Sequence, residues 1–430
     1  MAISGWTVLL AALGLPVVAL LPGWPGVLVW GGGLAALVAL DVALAASPRS
    51  VRVERDVPGR VRLDEAVTSE LTLTNLSRRR LRGVVRDAWQ PSAGAAANRH
   101  AVDVPAGERR RVATALRPTR RGDRLAGGVT IRSFGPLRLA ARQATLPVPG
   151  RLRVLPPFRS RRHLPSRLAR LRELDGRASV QVRGHGTEFD SLRDYVIGDD
   201  VRSIDWRATA RRQQVVVRTW RPERDRRVLV VLDTSRTSAA RIGDEPRLDA
   251  AMDAALLLSA LASRAGDRVD LVAVDRRVRA HVEGVRGPQL LGALVDAMAP
   301  LEPELVEADW PLVVGEVRRR LTQHALVVLL TPLEAAAVEE GLLPVVHHLT
   351  GRHTVLLGSV TDPVLHEMAS RRGDTDAVVD AAAAERTALD RVAVTEALER
   401  AGVEVVEGSP AALPARLADA YLALKAAGRL

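Results

Sequence analysis

The sequence contains no cysteine. That absence excludes a disulfide framework and any thiolate metal site, and it fits a reducing compartment. Lysine is nearly missing too: of 62 basic side chains only Lys425 is lysine. The net charge of +12 therefore reflects a coding bias toward Ala, Val, Leu and Arg as much as a basic surface, and no nucleic-acid partner is expected. Charge itself is lacking from residues 3–46, where Asp41 is the single ionisable side chain. The stretch has neither the basic n-region nor the single short apolar core of a cleaved signal peptide.

Pro22-Gly23-Trp24-Pro25-Gly26 divides these apolar residues into runs of about 3–21 and 27–46. Each run is long enough to cross a hydrocarbon layer of roughly 30 Å at about 1.5 Å per residue. Residues 1–48 are accordingly expected to form a transmembrane helical hairpin, with Trp6, Trp24 and Trp30 at the interfaces. Two readings stand for Asp41: an intramembrane carboxylate, or one that reaches the interface from the last turn of the second run. Arg49, Arg52, Arg55 and Arg60 follow the second run, whereas the turn between the runs is uncharged. The positive-inside rule then predicts a multi-pass protein of the cytoplasmic (inner) membrane with both termini cytoplasmic.

Beyond the apolar stretch the charge is uneven. Residues 49–227 hold 41 Arg against 19 acidic side chains, and residues 228–430 hold 21 basic against 30 acidic. Over 49–150, short alternating segments such as Glu70-Leu71-Thr72-Leu73-Thr74 lie between Gly, Pro, Asn and Arg-rich turns, which predicts a small all-β sandwich of immunoglobulin-like type. Residues 151–183, with Pro156, Pro157 and Pro165, read as a basic linker. From 228 to 430, continuous apolar strands such as Val228–Leu232 and Ala325–Leu330 alternate with amphipathic helices. That order predicts a doubly wound α/β domain whose ligands bind at the carboxyl ends of its strands.

Asp233-Thr234-Ser235-Arg236-Thr237 follows the first of those strands. The pattern resembles the first segment of the metal-ion-dependent adhesion site of von Willebrand factor A domains, and the resemblance implies Asp233, Ser235 and Thr237 as oxygen ligands of Mg²⁺. A complete site also takes a Thr and an Asp from later loops. Here Gly284–Pro288 has no Thr, and Pro332 stands where the Asp is wanted, so the site is degenerate and Mg²⁺ is a possible ligand rather than an expected one. The competing reading is that Asp233 and Ser235 cap the following turn.

Residues 184–227 form a strap between the sandwich side and the α/β side. Asp190, Asp194, Asp199, Asp200 and Asp205 lie within it, answered by Arg193, Arg202, Arg207, Arg211, Arg212 and Arg218 and punctuated by Tyr195, Gly198 and Trp206. Paired carboxylates serve acid–base chemistry, but no Ser-His pair, Cys-His pair or phosphate loop accompanies them. The arrangement reads instead as a salt-bridged structural or docking segment, with Tyr195 and Trp206 packed as anchors.

Gly186 to Arg211 closely resembles the signature of the bacterial domain-of-unknown-function 58 family, as do Arg120-Arg121-Gly122, Phe134-Gly135-Pro136 and Tyr421–Leu430. The family often has Asp-Pro-Phe-Gly where this chain has Arg132-Ser133-Phe134-Gly135. The resemblance spans essentially the whole chain. It implies a membrane-anchored protein with a von Willebrand factor A-like domain and a MoxR-type AAA+ ATPase as protein partner. The function expected is a non-enzymatic scaffold. Two alternatives are a Mg²⁺-dependent adhesion module for an acidic peptide and a hydrolase using Asp199 and Asp200.

Overall fold

The structure is a computed structural model describing residues 2–20, 24–181, 188–197, 199–221 and 226–430. It divides into two compact units, Met1–Leu155 and Pro156–Leu430.

The first unit opens with a two-residue strand, β1 (Ala2–Ile3), and helices α1 (Gly5–Ala12), α2 (Gly14–Leu20) and α3 (Trp24–Leu44). The first apolar run is thus broken. Pro16 lacks an N–H and its ring crowds the carbonyl four residues back, that of Ala12, where α1 ends. Among the described residues one helix, that containing α3, is long and apolar enough to cross a membrane. The turn expected between the two runs falls partly on residues 21–23, outside the described residues. Asp41 is fully buried. Its carboxylate accepts N–H groups of Leu137 (2.8 Å), Leu139 (2.8 Å) and Ala140 (3.0 Å), so it neither reaches into lipid nor merely surfaces, but ties α3 to a turn of the β domain.

That domain contains β2 (Val51–Asp56), β3 (Arg60–Arg62), β4 (Val67–Asn75), β5 (Leu81–Trp89), β6 (Arg99–Val104), β7 (Arg109–Leu116), β8 (Gly122–Phe134), β9 (Ala140–Leu146) and β10 (Arg151–Leu155). One sheet runs β2-β4-β7; the other runs β1-β9-β8-β10-β3, with β5 on β8 and β6 on β5. Alternation along β4 turns Leu71 and Leu73 inward against Val85, Val129 and Ile131 of the facing sheet. The sandwich extends past residue 150. Arg151–Leu155, expected as linker, pairs with both β8 and β3. The rest of that segment is a 3-10 turn, Arg159–His163, and helix α4 (Leu164–Gln181), which belong to the second unit. Ser160 donates its hydroxyl to Asp253 (2.8 Å) and Arg167 bonds Asp419 (2.9 Å), contacts that proline content does not reveal.

In the second unit β11 (Glu188–Asp194), helix α5 (Trp206–Arg212) and β12 (Val216–Arg221) form a lobe with its own two-stranded sheet. Then follow β13 (Arg227–Asp233), α6 (Arg236–Ala239), the ribbon β14–β15 (Arg241–Ile242 and Glu245–Pro246), α7 (Arg247–Arg264), β16 (Arg268–Val274), β17 (Val278–Val282), α8 (Gln289–Met298), α9 (Trp310–Arg320) and β18 (Leu326–Leu330). Short α10 (Ala335–Ala337) leads through a π turn into α11 (Leu343–Thr350). Strand β19 (Thr354–Val360), α12 (Pro363–Ser370), α13 (Thr375–Arg400), β20 (Val403–Gly408) and α14 (Leu413–Ala426) complete the unit. The sheet order is β17-β16-β13-β18-β19-β20, parallel except for the edge strand β17. Helices cover both faces: α9, α11 and α13 pack with Val231, Val327 and Leu357, while α7 and α14 pack on the other side. The chain builds outward from β13 to β16 and β17, then crosses to β18. The strand order therefore reverses between β13 and β18, and the crevice of such a sheet opens at the carboxyl ends of those two strands.

The candidate ligand cleft and the signature lobe

Asp233 ends β13 at that crevice. The parallel register sets Leu232 beside Leu330, which puts Thr331 level with Asp233 on the next strand. Thr331 donates its hydroxyl to Asp233 Oδ2 at 2.7 Å, Thr237 donates to the same oxygen at 3.2 Å, and the Ser235 amide donates to Oδ1 at 2.8 Å. Ser235 and Thr237 hydroxyls are themselves 3.1 Å apart. All four side chains are buried. Burial pushes the Asp233 carboxyl above the ordinary carboxylate range, and the hydroxyl and amide bonds pull only partly the other way.

The loop before α9 crosses over this point. Glu304 N–H bonds Thr234 O (2.8 Å) and Arg236 N–H bonds Val306 O (2.9 Å). Thr234 turns its hydroxyl to Asp275 (3.1 Å), which also holds Arg279 (2.7 Å). The result is a cleft of about 270 Å³ with Asp233, Ser235, Thr237 and Thr331 at its floor and Glu307, Glu340, Arg236 and Trp310 around it; Arg236 and Glu307 are ion-paired.

The floor supplies four hard oxygen donors and one negative charge. Thr331 adds a hydroxyl to this floor, but Pro332 lines the cleft without a side-chain ligand atom. Among the described residues no group of three His, Asp or Glu side chains is placed to hold a metal. The set suits an oxygen-seeking cation in type and falls short of the charge Mg²⁺ usually demands. The sequence pattern found Asp233, Ser235 and Thr237. It missed Thr331 as a participant, although a hydroxyl immediately after a buried strand was the available signal.

The signature lobe is organised otherwise. Asp199 accepts from the Arg193 guanidinium (2.5 Å) and the Val196 amide (2.9 Å). Asp200 caps the 3-10 turn Val201–Ser203 through the Arg202 amide (2.9 Å). Asp205 caps α5 through the amides of Arg207 and Ala208, both 3.0 Å, and takes Arg218 Nε at 2.8 Å. The Ala208 amide first, then Arg218, hold the Asp205 carboxyl below its usual value. Of the guanidiniums expected on these carboxylates, Arg193 and Arg218 form ion pairs, with Asp199 and Asp205, while Arg202 contributes only its amide. Arg202 and Arg211 point to solvent, as does Asp194. Asp190 lies on β11, and Gly198 lies outside the described residues. Trp206 corrects the expectation of a packed anchor: it is 66% exposed, with Val196, Ile197 (96%) and Val201 also exposed, while Tyr195 is half-buried. Asp205, the residue before it, spends its carboxylate on the helix start, which makes the tryptophan the first residue of α5.

Together these features define an α/β protein with a carboxylate–hydroxyl cleft at its strand-order reversal and an appended lobe in which Asp199 and Asp205 are ion-paired. The family profile described as "Protein of unknown function DUF58" matches residues 191–405, half of the chain, from this lobe into β20. The chain belongs to that family. Uncharacterized proteins of Mycobacterium tuberculosis and Mycobacterium bovis are each 26% identical to it over 184 residues, covering 42% of this chain and 57% of theirs. The chain thus spans little more than half the length of these curated relatives. Among solved structures, the CARDB domain of a Pyrococcus furiosus protein, described in complex with di-metal ions, is 14% identical, covers 26% of this chain and 91% of that one, and has a TM-score of 0.19. A β-glucosidase from Listeria innocua is 16% identical, covers 23% and 16%, and scores 0.16. Scores this low carry no argument about fold or function.

Proposed function

We propose that this chain is a non-enzymatic, membrane-anchored scaffold whose von Willebrand factor A-like unit docks a protein partner, a MoxR-type AAA+ ATPase, during assembly or maturation of a complex. The observation that carries this reading is the signature lobe. Its Asp199 and Asp205 are spent on internal bonds, which removes them from acid–base chemistry, while Trp206, Ile197, Val196 and Val201 face solvent beside Arg202, Arg207 and Arg211. An exposed aromatic in a lobe that also exposes aliphatic and guanidinium groups has the composition of an interface centre. The von Willebrand factor A-like assignment is supported by the strand order, the single antiparallel edge and the Asp233 loop.

Anchoring as a hairpin, with both ends of the helical segment on one side, is supported by closure of that segment on itself, and the arginines that follow it, Arg49, Arg52 and Arg60, favour the cytoplasmic side. Ser4 N–H and the Thr7 hydroxyl bond Leu139 O, while Asp41 bonds the neighbouring amides. Both ends of the segment therefore meet the same turn. Purification of the tagged full chain from native membranes, with and without ATP, tests the scaffold: an AAA+ protein retained by the wild type and lost with Trp206→Ala supports it. Retention unaffected by Trp206→Ala and Ile197→Ser together would remove the lobe from the docking role.

A second reading, a Mg²⁺-dependent module for an acidic peptide, is favoured by the convergence of Thr331 on Asp233, Ser235 and Thr237. Calorimetry of the full chain with Mg²⁺ or Mn²⁺ decides it: saturable heat abolished by Asp233→Ala establishes the module, and no heat excludes it.

A further inference from the structure

The end of α3 emerges among turns whose charge the scaffold reading does not use. The Arg79 guanidinium donates to Ala43 O and that of Arg142 to Ala45 O (3.4 Å), so two cations meet the last turn of an apolar helix, where carbonyls lack helical partners. Arg49, Arg78 and Arg138 are exposed in the adjoining segments 45–50, 75–80 and 135–142, and among the described residues none of the three has an ion-pair partner. The acidic side chains of this region are otherwise occupied or few: Asp41 is buried under three amides, Asp103 is held by Arg80 at 2.5 and 2.8 Å, and Glu108 remains beside the 75–80 turn. Between the arginines two leucines face solvent, Leu76 at 57% and Leu137 at 51% exposure.

The geometry holds this surface in place. Gly135 packs so tightly on Asp41 that a Cβ there would collide with its main-chain and carboxylate oxygens, and Leu76 N–H bonds Ser50 O (3.0 Å). The cations, the two leucines and the emerging helix therefore form one rigid base. Guanidiniums interleaved with aliphatic side chains around the exit of an apolar helix match the boundary between acyl chains and phosphate.

We propose that this base binds anionic phospholipid headgroups, with Arg49, Arg78, Arg79, Arg138 and Arg142 on the phosphates and Leu76 and Leu137 in the acyl boundary. The proposal rests on reading α3 as a membrane span and adds the class of lipid. An acidic soluble protein would satisfy the arginines, but it would leave two leucines at the helix exit without an apolar environment.

The test uses the full chain in detergent and in lipid nanodiscs. Native mass spectrometry should show phosphatidylglycerol retained over phosphatidylcholine by about tenfold. In Arg78→Gln/Arg79→Gln/Arg138→Gln that preference should fall below about threefold. Arg117→Gln/Arg120→Gln, which lies beyond the opposite end of β7, should keep it. Equal retention of both lipids by the wild type, or equal loss in both variants, overturns the proposal. Should the triple variant fail to fold, Leu137→Trp gives an independent reading against the wild type, whose own tryptophans include Trp6, Trp24 and Trp30: the emission that the variant adds must be quenched by lipids brominated near the headgroup, and added emission that stays unquenched refutes insertion. A wild-type chain found wholly outside the membrane fraction defeats the anchor reading itself; an inserted chain without lipid preference defeats only this proposal.

Discussion

Asp233 and Asp205 are the same residue placed in opposite surroundings. Asp233 ends a central strand, is 4% exposed, and is met by hydroxyls and an amide, none of which brings a positive charge. Asp205 sits on a solvated lobe and is met by two helix amides and a guanidinium. The first is pushed toward its neutral form and the second is held ionised. The difference teaches where chemistry is still open. Asp205 has its complement, whereas Asp233 retains an unmet demand for a proton or a cation at the crevice where α/β sheets bind ligands.

The contrast can be broken most strongly at Thr331. Thr331→Val removes the shortest bond to a buried carboxylate, and chemical denaturation should show a loss of about 1–3 kcal/mol. An unchanged midpoint would mean that the hydroxyl does not serve Asp233. Asp233→Asn should act in the other direction. Because the folded carboxyl titrates above its unfolded value, the favourable neutral form is fully present below the unfolded value. That stability is lost as pH rises through the raised folded value. The amide stays neutral throughout, and Thr237 and Thr331 can reverse to accept from it. The variant should therefore melt higher than the wild type at pH 7, with the gain shrinking toward pH 4.

On the lobe, Asp205→Ala should leave global melting nearly untouched but speed hydrogen exchange at the Arg207 and Ala208 amides several-fold. Its depressed carboxyl gives the complementary sign: the bonds persist above the unfolded value and fail as pH falls through the lower folded one, so the wild-type protection of these amides, measured against their intrinsic exchange rate at each pH, should be lost only in acid. Smallest of all is Trp206→Ala. An exposed side chain without packing should shift stability by no more than about 0.5 kcal/mol. A larger loss would show that Trp206 has a structural contact after all.

Much of this was legible in the chain. The uninterrupted apolar runs Val228–Leu232 and Leu326–Leu330 announced strands covered on both faces, and Asp233 could be placed at a strand end from position alone. What periodicity cannot supply is which strands become neighbours. Thr331 became part of the cleft because β18 pairs with β13, a fact fixed by a crossover far from either residue. Trp206 failed as an expected anchor for the same reason, since its side chain is covered only if another element comes to it, and the lobe's sheet has just two strands. The segment after Gly150 misled through composition. Arginine and proline resemble a linker, yet Arg151–Leu155 alternates as a strand and finds two partners.

The clasp between Asp41 and the 137–140 turn also sets a schedule for biosynthesis. Its two sides are 96 or more residues apart. At about 5–20 residues per second, roughly 5–20 s separate synthesis of the helix from synthesis of the amides that satisfy its carboxylate. During that interval Asp41 needs water or a temporary partner. Delivery of the helix to its final surroundings and closure of β8 on β9 are consequently coupled steps, with the ribosome's pace setting the earliest moment at which the first unit locks.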